Sequence, residues 1–348
     1  MKPRFPTTRR EPDFEQFLRV CRRETPDRPV LYEHYIEWPI LQEALGDEFA
    51  PQDDPPWGWV ANIMNGYARL GHDCAPLYLS ALLNFAFPVG GHEEGKSLSQ
   101  NSGALVHGWD DLDSYPWPDP DQFDLMGAMD RLAGQVPGKM KLLLYPPRGI
   151  WEVLVDLIGF DELCFALVDD PDFVAEVTRR AGTRIARWIE LGIRHEIVGG
   201  LFVSDDLGFK SSTMVSPDLI RQYILPWHRK LAGLAKAEGK IAVLHCCGKV
   251  ECLMDDFVAA GYDAKHSYED VICPVEEIYS RFSDRLGILG GLDVDYLSRS
   301  TPGEIGKRVR DLVEATGMKG YAIGSGNSLT AEMPAENIAA LLEAARVC

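Results

Sequence analysis

The sequence predicts an α/β protein, a single-domain (β/α)8 TIM barrel, because short apolar runs alternate with longer amphipathic runs along most of its 348 residues. From about residue 140 onward six strand–helix units follow one another, and the first 140 residues supply two more. Strands that alternate regularly with helices require a parallel sheet, and eight units suggest a closed barrel. An open doubly wound sheet is the alternative, but no G-x-G-x-x-G motif follows the first strand.

The amino-terminal part of the chain is the less regular one. We expect strands at 29–32 and 71–79, with helices over about 36–45 and 59–70. The first strand is short and carries a proline, and the second precedes an irregular stretch. These four elements supply the first two of the eight predicted units.

The six later units are more regular. Their strands are the apolar runs at 139–145, 198–204, 241–245, 263–267, 286–291 and 320–323. Their helices are predicted at 151–158, 171–191, 217–234, 250–260, 274–282, 302–315 and 334–346. Ser216 followed by Pro217 is a helix cap with proline at the first helical position, and Pro226 is expected to kink that helix.

Two segments fall outside the repeating pattern. Residues 1–27 are assigned to an amino-terminal extension, and residues 28–348 to the barrel. Residues 85–122 form a long, irregular loop after the second strand, rich in Gly, Pro, Asp and Trp. Its aromatic residues argue against disorder. An ordered loop at this point would lie over or beside the mouth of the barrel, where lids are found.

The composition is that of a globular protein, with 46% hydrophobic and 25% charged residues. The net charge of −18, from 35 basic and 53 acidic residues, argues against nucleic acids and anionic membranes as partners. No run approaches 18 uncharged apolar residues, and no apolar signal-peptide core follows the basic start of the chain. We therefore expect a cytoplasmic protein that acts on a small molecule. Large barrels with exposed helices often pair, so a homodimer is an open alternative to a monomer.

Eight scattered cysteines suggest reduced thiols, a metal site or catalysis rather than a disulfide framework. The most informative of them lie in IAVLHCCG at 241–248, where a buried strand ends in an imidazole and two thiols. His245 and Cys247 are the residue types that zinc prefers, and Cys246 is expected to turn into the wall. Catalytic zinc takes three protein ligands, and the candidates for the third are His266 and Glu269, with Asp293 as a further one. The alternative is that His245 only hydrogen-bonds a neighbour while Cys247 packs.

Polar residues follow several other predicted strands and should face the same mouth. The candidates for catalysis are Asp205, Asp206, His245 and Asp293. Adjacent acids at a strand end project to different sides, so only one of Asp205 and Asp206 should face the mouth. The candidates for substrate binding are Glu33, His34, Tyr35, Lys210, Ser325 and Asn327. The Gly-Ser-Gly-Asn run at 324–327 could cradle an anion, or could simply form a tight turn.

The order of these motifs resembles the uroporphyrinogen decarboxylase superfamily, which also contains zinc-dependent methyltransferases acting on methylated corrinoids. The resemblance covers most of the chain from about residue 28. It is most specific in SDDLGFKSSTMVSPDLIRQYILPWHRKLAGLAKAEGKIAVLHCCGKV, GGLDVDYL and GYAIGSGNSLTAEMPAENIAALLEAAR. It implies a (β/α)8 barrel. True decarboxylases of this family carry an arginine-rich R-Q-A-G-R-Y segment near the amino terminus, whereas this chain has EHYIEW at 33–38. A polycarboxylate would lack its cationic clamp there.

The methyltransferase branch holds zinc through His-x-Cys and a third cysteine after the last strand. His245 and Cys247 match the first two positions, and the third falls at Asn327, a poor zinc ligand. The resemblance thus implies a methyltransferase that uses zinc, a corrinoid partner protein and a small methylated substrate or thiol acceptor. Two alternatives remain open at this stage. One is a metal-free decarboxylase of a porphyrinogen or related acid, with Asp205 or His245 transferring a proton. The other is a non-catalytic protein that binds a tetrapyrrole or corrinoid.

Overall fold

A computed structural model describes residues 5, 10–50, 57–90, 100, 101 and 103–347 of the chain. Within these residues seven parallel strands form one sheet in which spatial order follows chain order. The strands are β1 (Cys74–Leu77), β2 (Lys141–Leu144), β3 (Val198–Ser204), β4 (Ile241–His245), β5 (Ala264–His266), β6 (Gly287–Leu289) and β7 (Tyr321–Ala322). Each strand pairs in parallel with the next one in sequence, so the chain between them forms a crossover connection.

The predicted first strand at 29–32 is reduced to a single parallel bridge between Leu31 and Ile323. The Tyr32 N–H donates to the Ile323 carbonyl at 2.8 Å, and the Ile323 N–H donates to the Val30 carbonyl at 2.8 Å. The segment therefore extends the β7 edge of the sheet, but it is too short to count as a regular strand. Within the described residues the sheet has seven strands rather than the predicted eight.

Helices separate the strands throughout the described chain. They are α1 (Phe14–Cys21), α2 (Trp38–Leu45), α3 (Trp57–Leu70), α4 (Leu79–Leu83), α5 (Trp109–Ser114), α6 (Leu125–Ala133), α7 (Ile150–Ile158), α8 (Phe160–Asp169), α9 (Pro171–Gly192), α10 (Pro217–Leu219), α11 (Leu225–Ala237), α12 (Met254–Ala260), α13 (Val275–Phe282), α14 (Val294–Arg299), α15 (Pro302–Thr316) and α16 (Ala335–Val347). No helix among the described residues is both long enough and apolar enough to cross a membrane.

The helix predicted from residue 217 is irregular where the proline lies. Ser216 caps α10 with its side chain, as predicted, and Pro217 occupies the first helical position. A π-helical turn, Ile220–Ile224, then precedes α11, and Pro226 stands in the first turn of α11. Because Pro226 has no N–H to donate to the preceding turn, the helix is wider there and forms a π-helical turn.

The inner face of the sheet carries a hydrophobic cluster of its own. Each of the seven strands contributes to it, as does the bridge segment through Val30 and Tyr32. Helix α1 adds Phe17, Val20 and Cys21, all fully buried. Side chains thus fill the space enclosed by the curved sheet, while its outer face packs against the surrounding helices.

The loop predicted at 85–122 contains described and undescribed parts. Its described part includes α5 and packs on helices, since the Arg180 guanidinium of α9 contacts the Leu112 carbonyl and Asp113. Arg187, also on α9, binds Asp121 in the same way. Residues 91–99 and 102 lie outside the described residues, and with them any role of this loop as a lid.

Candidate metal centre

The carboxyl end of β4 brings together the polar groups of the candidate site. Strand pairing places His245 opposite Ser204 of β3 on one side and opposite His266 of β5 on the other. The next residue, Cys246, is fully buried in the outer core, as predicted from strand alternation. Cys247 turns back to the inner side and is half-buried.

The sulfur of Cys247 has three polar neighbours. Its Sγ lies 3.1 Å from His245 Nε2, while Asn327 Nδ2 and Ser267 Oγ donate to it at 3.2 and 3.3 Å. Burial, with the nearby carboxylate of Asp206, raises the pKa of Cys247 to about 12. The thiol therefore keeps its proton at neutral pH unless a cation binds beside it.

Asp206 is the acid that faces this sulfur. Its Oδ1 accepts a hydrogen bond from the Cys247 N–H at 2.9 Å and lies 3.6 Å from His245 Nε2. Burial raises the pKa of Asp206, and the Cys247 N–H partly offsets that effect. Ligand atoms of Asp206, His245 and Cys247 all lie within 4.8 Å of one another. A carboxylate, an imidazole and a thiolate in such a group form a donor set that zinc accepts.

Hydrogen bonding fixes the tautomers of a buried histidine pair. His266 Nε2 is 3.1 Å from the Ser325 carbonyl, which can only accept, so this nitrogen carries the proton. Burial holds the pKa values of His245 and His266 well below their ordinary range, so both rings are neutral. His266 Nδ1 must then accept from His245 Nδ1, 2.8 Å away. The lone pair of His245 Nε2 is left facing Cys247 and Asp206, as a metal ligand requires.

A third imidazole, His34, lies against this pair. Its ring centroid is 4.1 Å from that of His245, it stacks on Phe202, and its Nε2 is 3.1 Å from Ser328 Oγ. Burial lowers the pKa of His34 to about 4. His34, His245 and His266 form a second group close enough to hold a metal ion. Both ring nitrogens of His266 already have hydrogen-bond partners, so such an ion would have to displace one of them, which makes this second group the less favourable one.

Asp205, a predicted catalytic acid, points away from the sulfur. Its carboxylate accepts from the backbone N–H groups of Trp151 and Glu152 at the start of α7, both at 3.1 Å. It also binds His228 Nε2 at 2.9 Å, and His228 in turn contacts the Tyr262 hydroxyl. Because Asp205, His228 and Tyr262 are all buried, Asp205 anchors a helix to the sheet and is closed off from solvent.

Glu33 and Ser325, both predicted to bind substrate, are instead bonded to each other. Ser325 donates to Glu33 through its N–H at 2.7 Å and through its hydroxyl at 2.5 Å. Burial raises the pKa of Glu33 to about 8 despite these bonds. The flanking glycines admit close backbone neighbours rather than a ligand, since a Cβ at Gly324 would lie 1.9 Å from the Tyr32 carbonyl oxygen.

Other candidates lie at the edge of the site. Asp293 is occupied as the cap of α14 and as acceptor of the Asp270 N–H at 3.0 Å. Glu269, predicted as a third ligand, does not join either metal-binding group among the described residues. It lines a cavity of about 470 Å³ together with Lys210, which is exposed, and Asn327. Tyr35 is 42% exposed and lines a different cavity.

Some residues of the site were not among the candidates drawn from the sequence. Ser267 directly follows His266 at the end of β5, so a strand-end pattern could have included it. His228 lies inside a helix and offers no such signal. That Asp206 rather than Asp205 faces Cys247 depends on which of two adjacent acids turns inward, and only the folded chain decides this.

Comparison with known proteins identifies the family of the chain. The model of the family Uroporphyrinogen decarboxylase (URO-D) matches residues 104–347, well over half of the chain. The chain belongs to this family. The resemblance inferred from the sequence motifs is therefore confirmed, and the URO-D family is a family of enzymes.

Relatives of the chain include methyltransferases. A methylated-thiol–coenzyme M methyltransferase of Methanosarcina mazei is 30% identical over 148 residues, which are 42% of this chain and 37% of that protein. The similarity thus spans little more than a third of that relative's length. A solved methyltransferase structure from Methanosarcina mazei superposes with a TM-score of 0.69 at 17% identity, over 95% of this chain and 97% of that one. This second likeness shows the fold alone.

Proposed function

We propose that this URO-D family protein is a zinc-dependent methyltransferase, with zinc held by Asp206, His245 and Cys247. The observation that carries the proposal is the close grouping of these three ligand atoms at the carboxyl end of the sheet. The proposal also takes the segment around Leu31 as the eighth strand of a (β/α)8 barrel, because its bridge to Ile323 extends the β7 edge.

Asp206 takes the place of a ligand that the methyltransferase branch supplies as cysteine. Asn327 stands at that position, and its Nδ2 already contacts Cys247 Sγ at 3.2 Å. An amide nitrogen is a donor and not a ligand, but it stabilises negative charge on the sulfur. A carboxylate from the neighbouring strand end restores the third ligand, and a fourth position stays open as catalytic zinc sites require.

The surrounding side chains prepare these ligands. His266 holds His245 in the tautomer whose Nε2 lone pair faces the site. Asn327 and Ser267 both donate to Cys247 Sγ and favour its thiolate. Zinc bound here would lower the pKa of Cys247 and of an incoming thiol, supplying a nucleophile near neutral pH.

The reaction partners we propose are a corrinoid carried by a separate protein and a small methylated substrate or thiol acceptor. The Methanosarcina relative is a methyltransferase for methylated thiols, and this supports a small methylated substrate or thiol acceptor. Porphyrinogen decarboxylation has less support. The segment at 33–38 has no arginine, and Arg148, which follows β2, is already paired with Asp156 and Glu152.

Metal analysis of the purified chain tests the proposal. We expect about one zinc per chain under reducing conditions, and loss of most of it in Cys247→Ala. Cys252→Ala is the matched control, because Cys252 is exposed and belongs to neither metal-binding group. Wild-type protein without stoichiometric zinc, or a Cys247→Ala variant that keeps it, would contradict the proposal.

A further inference from the structure

A cavity of about 530 Å³ is bounded by α2, α3, α4 and the chain that follows His34. Its size is within the range of small-molecule sites, about 300–1,000 Å³. Nothing in the metal chemistry described above uses it. Aromatic rings form much of its wall, among them Trp38, Trp59, Tyr67 and Tyr78, and aliphatic side chains form the rest.

The lining carries no charge at neutral pH among the residues that the structure describes. A carboxylate that moves from water into such a cavity loses hydration that no partner returns, because the faces of aromatic rings attract cations and not anions. The lining therefore excludes an anion, and its aliphatic part suits an uncharged occupant. The tyrosine hydroxyls at the wall can form a hydrogen bond with one neutral polar group on the occupant.

The spacing of the rings favours an aromatic occupant. The Trp38 and Trp59 centroids are 6.3 Å apart at 44°, and those of Trp59 and Tyr78 are 6.2 Å apart at 37°. These inclined rings form a concave wall that presents both faces and edges. A planar aromatic molecule can meet such a wall by offset and edge-to-face contacts, at the usual 4.5–7 Å between ring centroids.

The cavity is joined to the metal centre through His34. Tyr35 and Ile36 line the cavity and directly follow His34 in the chain. The Tyr78 hydroxyl donates to the His34 carbonyl at 2.9 Å, so the cavity wall also holds the backbone of this residue. Since the rings of His34 and His245 lie 4.1 Å apart, His34 links the wall of the cavity to one of the proposed ligands.

We propose that this cavity binds a small uncharged aromatic molecule. It rests on the proposed function in one respect only: the molecule would be the methylated substrate, carrying its methyl group toward the metal centre. Binding itself does not depend on zinc, because none of the three proposed ligands lines the cavity.

The test is calorimetric titration of the purified full chain with three probes: methoxybenzene, benzoate as an anion of similar size, and tetramethylammonium as a cation. Wild-type protein should bind methoxybenzene at least about tenfold more tightly than benzoate. Ala81→Trp places a large ring on the exposed rim of the cavity and should weaken methoxybenzene binding by about tenfold or more. Ala237→Trp, at the exposed end of α11, is the matched control and should leave binding unchanged.

Three results would overturn the inference: no saturable methoxybenzene binding, equal binding by Ala81→Trp and wild type, or tighter binding of tetramethylammonium than of methoxybenzene. The zinc content of the same preparations separates this inference from the proposed function. If the protein holds zinc but does not bind methoxybenzene, only the inference about the cavity is refuted. If it binds methoxybenzene but holds no zinc, only the proposed metal centre is refuted.

Discussion

The sulfur of Cys247 is subject to opposing influences on its proton. Burial and the Asp206 carboxylate raise the pKa of the thiol, while the Ser267 hydroxyl lowers it by donating to the sulfur. The first two effects dominate, so the group is a thiol in the protein alone. A divalent cation would reverse this balance, because it neutralises Asp206 and binds the thiolate directly. The same carboxylate that opposes a free thiolate therefore favours a metal-bound one.

Asp206→Asn tests this account of the carboxylate. Residues that only hydrogen-bond to metal ligands typically contribute about 10–100-fold to metal affinity. Because Asp206 is proposed to bind zinc directly, this change should reduce zinc affinity by more than about 100-fold. Glu269→Gln is the control, because Glu269 lies outside both metal-binding groups and should have little effect. Competition with a chelator measures both affinities. A larger loss in Glu269→Gln than in Asp206→Asn would show that the third ligand is Glu269.

His266 should act on zinc only through His245. His266→Ala removes the acceptor for His245 Nδ1 and should lower zinc affinity by about 10–100-fold. His266→Asn restores an acceptor oxygen near the Nδ1 position and should recover most of the affinity. Chelator competition on the two variants decides the point. If both variants lost zinc affinity equally, and by more than about 100-fold, His266 would bind the metal itself.

Glu33 should make stability depend on pH. Its pKa is about 8 in the folded chain against an ordinary 4.5, so between these values the folded protein holds a proton that the unfolded chain has lost. Stability then falls as pH rises through this window, by up to about 1.4 kcal/mol per pH unit. Glu33→Gln cannot titrate and should lack this fall. Urea unfolding from about pH 5 to about pH 8 measures it, and parallel curves for variant and wild type would contradict the assignment.

At the scale of elements, the register of β3, β4 and β5 builds the site. Ser204, His245 and His266 lie side by side across the three strands, so the residues that follow them converge at one edge of the sheet. Asp205 then fastens the start of α7 to this edge. The proposed ligands thus lie at the ends of paired strands, and Asp205 connects this edge of the sheet to the start of α7.

The anchoring role of Asp205 predicts a loss of stability without a loss of metal. Asp205→Ala leaves two helix N–H groups and His228 without their buried acceptor, which should cost about 2–4 kcal/mol in the free energy of unfolding. Denaturant unfolding measures this cost. Asp206→Asn is the matched control and should be nearly neutral in stability. A stable Asp205→Ala variant that loses zinc would assign Asp205 to the metal instead.

Strands were predicted best where they are buried on both faces. The runs at 198–204 and 241–245 coincide with β3 and β4, because a buried parallel strand is a continuous apolar stretch. The first predicted strand is present only as one parallel bridge, which two hydrogen bonds hold. The apolar pattern could not show which of the two adjacent acids faces the site. Asp205 and Asp206 are chemically identical neighbours, and their different partners follow from the fold.

At the scale of the whole molecule, two cavities of different character lie near the proposed metal centre. Tyr35 and Ile36, which follow His34, line the aromatic cavity, and Asn327, which contacts Cys247 Sγ, lines the cavity of about 470 Å³. The second cavity contains Lys210 and several acids, so it suits a polar group. A methyl transfer needs a donor and an acceptor, and under the proposed function the two unlike cavities would supply a place for each.

X-ray absorption spectroscopy of the zinc-loaded chain tests the central claim most directly. With Cys247, His245 and Asp206 as ligands, the spectrum should contain one sulfur at about 2.3 Å and otherwise nitrogen and oxygen at about 2.0–2.2 Å. The sulfur contribution should disappear in Cys247→Ala. Zinc with two sulfur ligands, or with none, would contradict the claim.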